Sequence, residues 1–226
     1  MIEISTVNYT PSILIVINYP SVNSTESGVN MSYPAKLIQL SIEEYLEMEE
    51  RNEIRHEYVA GQIFAMAGAT EAHNVISVNI ATILRPKLRG TGCRVFVFDM
   101  KARVEPIDAF YYPDVMATCE PFVPKSVAKS RPFLIIEVLS PSTAEIDRRE
   151  KLVAYGQLDS IREYVIVHQD RRQIELHRKN EYGRWQTAIV GEGDVLVLES
   201  IPTGPLTLGM DEIYEDVTFP LAETQD

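Results

Sequence analysis

The chain has 226 residues, which suits one domain with an arm or at most two small domains. Its formal net charge is −12, and this acidity argues against a protein that holds nucleic acid mainly by electrostatics. No apolar segment reaches the length of a membrane span, so we expect no membrane partner.

The N-terminal residues and the two cysteines indicate the cellular compartment. The chain opens with Met1-Ile2-Glu3 and lacks the basic start of a secretory signal. Its two cysteines, Cys93 and Cys119, show no spacing that is typical of a disulfide framework or a metal site. We therefore expect a cytoplasmic protein with two free thiols.

Residues 1–35 differ from the rest of the chain, since they are rich in Ser, Asn, Thr and Val and poor in charge. This composition predicts an N-terminal arm or extension that is partly disordered. An edge strand around residues 12–18 is the alternative. Residues 36–226 are predicted to form a single domain.

Capping residues, apolar periodicity and turn residues predict the elements of this domain. In chain order they are a helix at 42–50 opened by a capping box, a hairpin at 56–59 and 62–66, a helix at 71–89 capped by Thr70, strands at 93–98, 100–104, 113–118 and 132–139, a helix at 144–158 capped by Thr143, strands at 163–167, 173–177 and 185–189, and short elements near 206–208 and 212–214. Helices and runs of strands follow one another without a regular βαβ repeat. This order predicts an α/β (α+β) fold, a mixed sandwich around one sheet.

The strand predicted at 132–139 is almost continuously apolar, yet it carries one carboxylate, Glu137. Such a run is typical of a strand buried on both faces, where an unpaired carboxylate is costly. Glu137 therefore needs a cation, a metal or a hydrogen-bond network. The structural alternative is a buried glutamate that pairs with an arginine or lysine, or one that reaches solvent at the strand end.

Asp114, in the strand predicted at 113–118, is the candidate partner of Glu137. If the two strands pair, both carboxylates converge at one edge of the core. Two carboxylates and water form a hard-oxygen site that suits Mg²⁺ or Mn²⁺. The spacing of the histidines and cysteines does not support zinc.

Three further residues have both a structural and a functional interpretation. Lys151 forms an i,i+4 pair with Asp147, which is most often a surface salt bridge, but it could reach back to the carboxylates and act on a phosphate. His73 on an apolar helix face is more often a core histidine than a group beside a metal site. Glu57, just before the hairpin turn, has the same ambiguity.

Several segments match one known family. They are the hairpin at 56–63, His73 on its helix, Tyr112-Pro113-Asp114, the block Glu-Val-Leu-Ser-Pro-Ser-Thr at 137–143, the helix that carries Asp147, Lys151 and Tyr155, and the strand at 162–167. Together they resemble the Uma2 family of endonucleases, which is abundant in cyanobacteria. The resemblance covers about residues 38–200, and the block at 137–143 is its most specific mark. It implies that residues 36–226 are one Uma2-like nuclease domain.

The Uma2 family is placed in the PD-(D/E)xK superfamily, together with restriction endonucleases. The resemblance implies a restriction-endonuclease-like core, with a central mixed β-sheet flanked by helices, an extra hairpin and a C-terminal meander. It also implies a metal site in which Asp114 and Glu137 are the ligands. The superfamily's lysine position is Leu139 here, so Lys151 from the following helix is the implied substitute. The second acid of the hairpin motif is replaced by Gln62.

The expected function is a Mg²⁺- or Mn²⁺-dependent endonuclease that hydrolyses phosphodiester bonds of DNA. Its expected site residues are Asp114, Glu137, Lys151, Glu57 and His73. The alternative is a nuclease-fold module that binds or assembles with a partner and has little or no catalysis. A metal hydrolase with a substrate other than DNA is a third interpretation. Whether the chain is a monomer or a homodimer stays open.

Overall fold

The computed structural model describes residues 4–7, 14–17, 39–66, 68–139 and 146–219. The chain divides into two compact units, Met1–Ala67 and Gly68–Asp226, and each is described by itself. Within these described ranges, no helix is both long and apolar enough to cross a membrane.

The described residues of the first unit form two antiparallel strand pairs and one helix. In chain order these are β1 (Ile4–Val7), β2 (Leu14–Ile17), α1 (Ile42–Arg51), β3 (His56–Val59) and β4 (Gln62–Ala65). Strand β2 lies within residues 12–18, for which an edge strand was the alternative prediction. Most of the predicted N-terminal arm lies outside the described residues.

Two local signals of the first unit appear as predicted. The capping box of α1 is present, since Glu44 N donates to Ser41 Oγ and Ser41 N donates to Glu44 Oε2. The hairpin turn uses Ala60 and Gly61, whose φ angles are +47° and +90°. Two successive positive φ angles are typical of the two-residue turn that matches the twist of a hairpin.

The second unit holds the remaining elements. In chain order they are α2 (Glu71–Lys87), β5 (Arg94–Val97), β6 (Lys101–Val104), a 3₁₀-helix (Glu105–Ile107), β7 (Ala109–Tyr111), β8 (Val115–Thr118), β9 (Ala128–Lys129), β10 (Pro132–Leu139), a π-helix (Ile146–Lys151), α3 (Leu152–Gly156), β11 (Glu163–His168), β12 (Ile174–Lys179), β13 (Trp185–Val190), β14 (Val195–Leu198), β15 (Leu206–Gly209) and α4 (Met210–Ile213).

Six of these strands form one mixed sheet in the spatial order β13-β12-β11-β10-β8-β5. Strand β10 is parallel to β11 and antiparallel to β8, so it lies in the interior of the sheet. The C-terminal meander of β11, β12 and β13 is antiparallel, as the sequence predicted. Strand β6 pairs with β7 and β9, and β14 pairs with β15.

Helix α2 covers one face of this sheet. Its fully buried residues Ile76, Ile80 and Leu84 belong to the same apolar core as alternate residues of three strands: Val115, Ala117, Leu134, Ile136, Val138, Val165 and Val167. Because side chains alternate along a strand, Ile135 and Glu137 belong to the opposite face. Strand β10 is therefore buried on both faces, and Glu137 lies on the face away from the α2 core.

The predicted fold class is confirmed: the domain is mixed α/β, with a central mixed sheet flanked by helices. The helix predicted over 144–158 is wrong in type, because residues Ile146–Lys151 are π-helical and only Leu152–Gly156 is α-helical. Its predicted cap, Thr143, lies outside the described residues. Apolar spacing could not predict this, since a π-turn is a local change in hydrogen bonding within a helical pattern.

The prediction of two free thiols is wrong, because Cys93 and Cys119 form a disulfide. Strands β5 and β8 are antiparallel, with Arg94 opposite Thr118. Cys93, just before Arg94, therefore faces Cys119, just after Thr118. The register of a sheet, rather than cysteine spacing, brings them together. The cytoplasmic localisation stays a prediction.

Reduction of this disulfide is expected to lower the free energy of unfolding by about 2–4 kcal/mol, because a cross-link restricts the unfolded chain. Urea unfolding with and without dithiothreitol measures the change. The Cys119→Ser variant is the control, since a reductant should leave its stability unaltered. Equal stability of the oxidised and reduced wild type would contradict the prediction.

Candidate active site

Glu137 lies near the C-terminal end of β10 and is only 3% exposed. Its Oε1 accepts a hydrogen bond from Lys151 Nζ at 3.2 Å and another from Tyr155 OH at 3.0 Å. Removing a carboxylate from water costs several kcal/mol unless a charge partner and hydrogen bonds compensate it. The ammonium offsets the charge, and the phenol donates a second bond to the same oxygen. The need for compensation that the sequence predicted is thus met by a lysine and a tyrosine.

Lys151 turns into the protein rather than lying on its surface. It is 5% exposed, and its ammonium lies 5.9 Å from the centroid of the Tyr111 ring. It is the last residue of the π-helix, and Tyr155 follows four residues later on α3, on the same helical face. The interpretation of Lys151 as a surface residue in an ordinary i,i+4 salt bridge is therefore wrong. A π-turn is frequently found at a functional site.

Asp114 lies immediately before β8 and reaches across to the neighbouring strand. Its Oδ2 accepts a hydrogen bond from Val138 N at 2.7 Å, one residue after Glu137. In the pairing of β8 with β10, Val115 is opposite Ile136, and continuing this register by one residue brings Asp114 opposite Glu137. The two carboxylate residues therefore occupy facing positions along neighbouring strands, and the convergence of their side chains on one metal ion stays a prediction.

The backbone beside Asp114 has an unusual conformation. Phe98, just after β5, has a φ of +56°, and its N–H donates to Asp114 O at 3.3 Å. A bulky residue with positive φ costs about 1–3 kcal/mol, and such residues cluster at functional sites. The strained residue therefore contacts Asp114 directly, just before β8 begins.

His73 contacts Asp114 directly. Its Nε2 lies 3.1 Å from Asp114 Oδ2, and its backbone N–H donates to Thr70 Oγ1, which caps α2. The residue is 8% exposed, and Nδ1 has no hydrogen-bond partner among the residues that the structure describes. His73 is therefore a polar group of this site as well as a member of the buried helix face. Its side chain lies against the same Asp114 oxygen that accepts the hydrogen bond from Val138 N.

Four of the five expected site residues form two separate contacts, His73 with Asp114 and Lys151 with Glu137. Glu57 lies on β3 of the first unit and is half-buried, and its part in the site stays a prediction. Sequence reasoning missed Tyr155 as a site residue. Its position four residues after Lys151 was the available signal, because residues i and i+4 share a helix face.

The donor set decides which metals the site suits. Among the described residues there is no group of three or more His, Cys, Asp and Glu side chains that could enclose a metal ion. Mg²⁺ keeps several water ligands and is commonly held by one or two carboxylates. Asp114 and Glu137 are hard oxygen donors of this kind at facing positions of neighbouring strands, and their joint binding of Mg²⁺ stays a prediction.

Replacement of Lys151 by methionine is expected to lower the free energy of unfolding by about 3–5 kcal/mol, because it leaves the Glu137 carboxylate buried without its charge partner. The double variant Lys151→Met with Glu137→Gln should recover much of that loss, since the uncompensated charge is gone. Urea unfolding at neutral pH measures both. If the double variant is no more stable than Lys151→Met alone, the loss of stability does not come from an uncompensated charge on Glu137, and the prediction is refuted.

Comparison with known proteins agrees with this fold. The family model for Uma2, described as "Putative restriction endonuclease", matches residues 42–209. An uncharacterized protein, slr1290, from Synechocystis sp. (strain ATCC 27184 / PCC 6803 / Kazusa) is 37% identical over 182 residues, which cover 80% of this chain and 94% of that protein. A second uncharacterized protein from the same organism, sll1609, is 32% identical over 157 residues, or 68% of this chain and 89% of that protein.

A solved structure shares the fold. The crystal structure of "a putative nuclease belonging to DUF820" from Anabaena variabilis matches with a TM-score of 0.63 at 16% identity, over 77% of this chain and 97% of that one. At this identity the likeness concerns the fold, and it agrees with the predicted restriction-endonuclease-like core. The match to the family model covers most of the chain and contains Asp114, Glu137, Lys151, Glu57 and His73. The resemblance read from the sequence is thus confirmed, and the chain belongs to the Uma2 family.

Proposed function

We propose that this protein is a divalent-metal-dependent endonuclease that hydrolyses phosphodiester bonds of DNA. The observation that carries the proposal is the placement of Glu137 and Asp114 on adjacent strands, with Lys151 bonded to the first and His73 to the second. Two acids and a lysine at one end of a central sheet are the parts that metal-assisted phosphoryl hydrolysis requires. The description of the family as a restriction endonuclease supports the same reaction class.

Asp114 and Glu137 would hold the metal, which is Mg²⁺ or Mn²⁺ on the chemistry of the donors. When bound, the ion would supply a more acidic water and would neutralise charge on the phosphate. The carboxylates are already held in place, Asp114 by a hydrogen bond from Val138 N and by the contact with His73, and Glu137 by hydrogen bonds from Tyr155 and Lys151. This arrangement fixes the ligand oxygens before any metal arrives, so little reorganisation is needed.

Lys151 would act on the substrate. Its ammonium is a mobile point charge on a four-carbon stem, and it lies 3.2 Å from Glu137 Oε1. Close to Glu137, it could donate to a non-bridging phosphate oxygen or to the attacking water and so stabilise charge in the transition state. Leu139, at the superfamily's usual lysine position, is apolar and buried, which leaves this role to Lys151.

The net charge of −12 limits how DNA would be held. Long-range attraction is weak or repulsive for such a protein, so affinity must come from a small number of local contacts and from the cation itself. Binding should therefore depend more on the divalent metal than on the bulk charge of the protein. This favours an enzyme that needs Mg²⁺ for both binding and cleavage.

A second candidate function is a binding or assembly module with little catalysis. One observation favours it: Lys151, the cation that the reaction needs, is already paired with Glu137. A lysine used only to neutralise a buried glutamate would leave no charge for a substrate. Such a protein would show no metal-dependent hydrolysis and would not need Glu137 to bind a divalent metal.

The proposal predicts metal-dependent nicking of supercoiled plasmid DNA that requires both carboxylates. Glu137→Gln and Asp114→Asn keep the side-chain shapes and should each reduce the rate by about 10²–10³-fold, because each removes a ligand of the metal ion that would neutralise charge on the phosphate. Nicking is measured with Mg²⁺ and Mn²⁺ on supercoiled and single-stranded DNA. Folding of each variant is checked by thermal unfolding.

The matched control is Glu192→Ala, which removes an exposed carboxylate that pairs with Arg172 on the surface. It should cleave at the wild-type rate. Hydrolysis that survives in both site variants, or wild-type protein that cleaves equally well in EDTA, would refute the proposed function. Cleavage of RNA or another phosphodiester but not of DNA would keep the chemistry and reject the DNA substrate.

A further inference from the structure

We propose that Tyr155 is a positioning residue that holds the Glu137 carboxylate in place while Lys151 turns to the substrate. This inference rests on the proposed metal-dependent function and goes beyond it, because it assigns separate tasks to the two donors of Glu137. Tyr155 OH and Lys151 Nζ both donate to Glu137 Oε1, at 3.0 Å and 3.2 Å. They differ in charge and in mobility, and those differences separate their roles.

Tyr155 is held rigidly by its aromatic neighbours. It is fully buried, and its ring makes edge-to-face contacts with Tyr111 and Tyr164, at centroid distances of 5.5 Å and 5.3 Å. The Tyr164 ring in turn stacks on His177 at 5.8 Å. Edge-to-face pairs fix the orientation of a ring as well as its position. The phenol oxygen therefore has little freedom to leave Glu137.

The backbone that carries Tyr155 is fixed as well. Lys179 Nζ donates to Gly156 O and Leu158 O, each at 2.9 Å, and so binds carbonyls at the end of α3. A Cβ at Gly156 would come within 3.0 Å of Trp185 Nε1, so the helix end packs tightly against this indole. The short helix α3 is thus anchored to β12 and β13, the outer strands of the sheet.

Lys151 has the opposite character. Its stem is flexible, and its positive charge is repelled by any cation that binds the same carboxylate. A metal on Glu137 therefore weakens the hold of Lys151, whereas a neutral phenol keeps its hydrogen bond. If Lys151 alone fixed Glu137, turning it toward a phosphate would also release the metal ligand. Tyr155 removes this conflict, because it keeps the carboxylate oriented in either position of the lysine.

The experiment measures Mn²⁺ affinity of the full chain by titration calorimetry, which does not depend on cleavage. The Tyr155→Phe variant keeps the ring and its contacts but removes the hydroxyl. Loss of a residue that orients a metal ligand typically weakens metal affinity by about 10–100-fold, and that increase in Kd is expected here. The nicking rate at saturating Mn²⁺ should fall as well.

Two variants serve as comparisons. Tyr214→Phe removes a buried phenol that donates to backbone oxygens of His168 and Gln173, at 2.9 Å and 3.0 Å, and it should leave the Kd unchanged. Lys151→Met removes the cation and should bind Mn²⁺ as tightly as the wild type or more tightly, while it loses nicking activity. The thermal midpoint of every variant is recorded to exclude unfolding.

The outcomes separate this inference from the proposed function. If Glu137→Gln abolishes Mn²⁺ binding but Tyr155→Phe binds within about twofold of the wild type, the role of Tyr155 is refuted and the metal site stands. If Lys151→Met weakens binding as much as Tyr155→Phe, the separate tasks are refuted. If the wild type binds no Mn²⁺ through Glu137, the proposed function fails and the role of Tyr155 fails with it.

Discussion

The buried carboxylate of Glu137 is the constraint on which the rest of this site depends. A charge in the middle of an interior strand is tolerable only if other elements deliver compensating groups to it. The segment that follows β10 does so, since a π-helix ends at Lys151 and α3 begins directly after it. Lys151 and Tyr155 thus belong to the site because their side chains compensate the acid on the strand before them. A purely apolar β10 would place no such demand on the helix.

The two acids of the site, Glu137 and Asp114, are held by different kinds of contact. Glu137 is held by side chains from one helix, whereas Asp114 is held by a backbone amide of the neighbouring strand and by His73 of α2. The two acids are therefore held by different elements, Glu137 by the segment that follows β10 and Asp114 by the β10 backbone and α2.

Much of this arrangement could be predicted from the sequence, and the exceptions have physical reasons. The apolar run around Glu137 and the segment at Asp114 predicted the two acids and the pairing of their strands, because apolar runs and alternation are strong signals of strands. The inward turn of Lys151 could not be decided, since an i,i+4 partner at Asp147 favoured the surface. Strands β7, β9 and β14 were missed because they are short and carry little periodicity. The Cys93–Cys119 disulfide depends on sheet register, which cysteine spacing does not encode.

The position of that disulfide has a consequence for the edge of the sheet. Strand β5 is the outermost strand beside β8, and the disulfide joins the two strands at the Arg94–Thr118 end. At the other end, their pairing finishes with the single backbone bond from Phe98 to Asp114. Fraying of an edge strand begins where it is least restrained. Thermal opening at this edge of the sheet should therefore start beside Asp114, so solvent should reach this acid before it reaches Glu137.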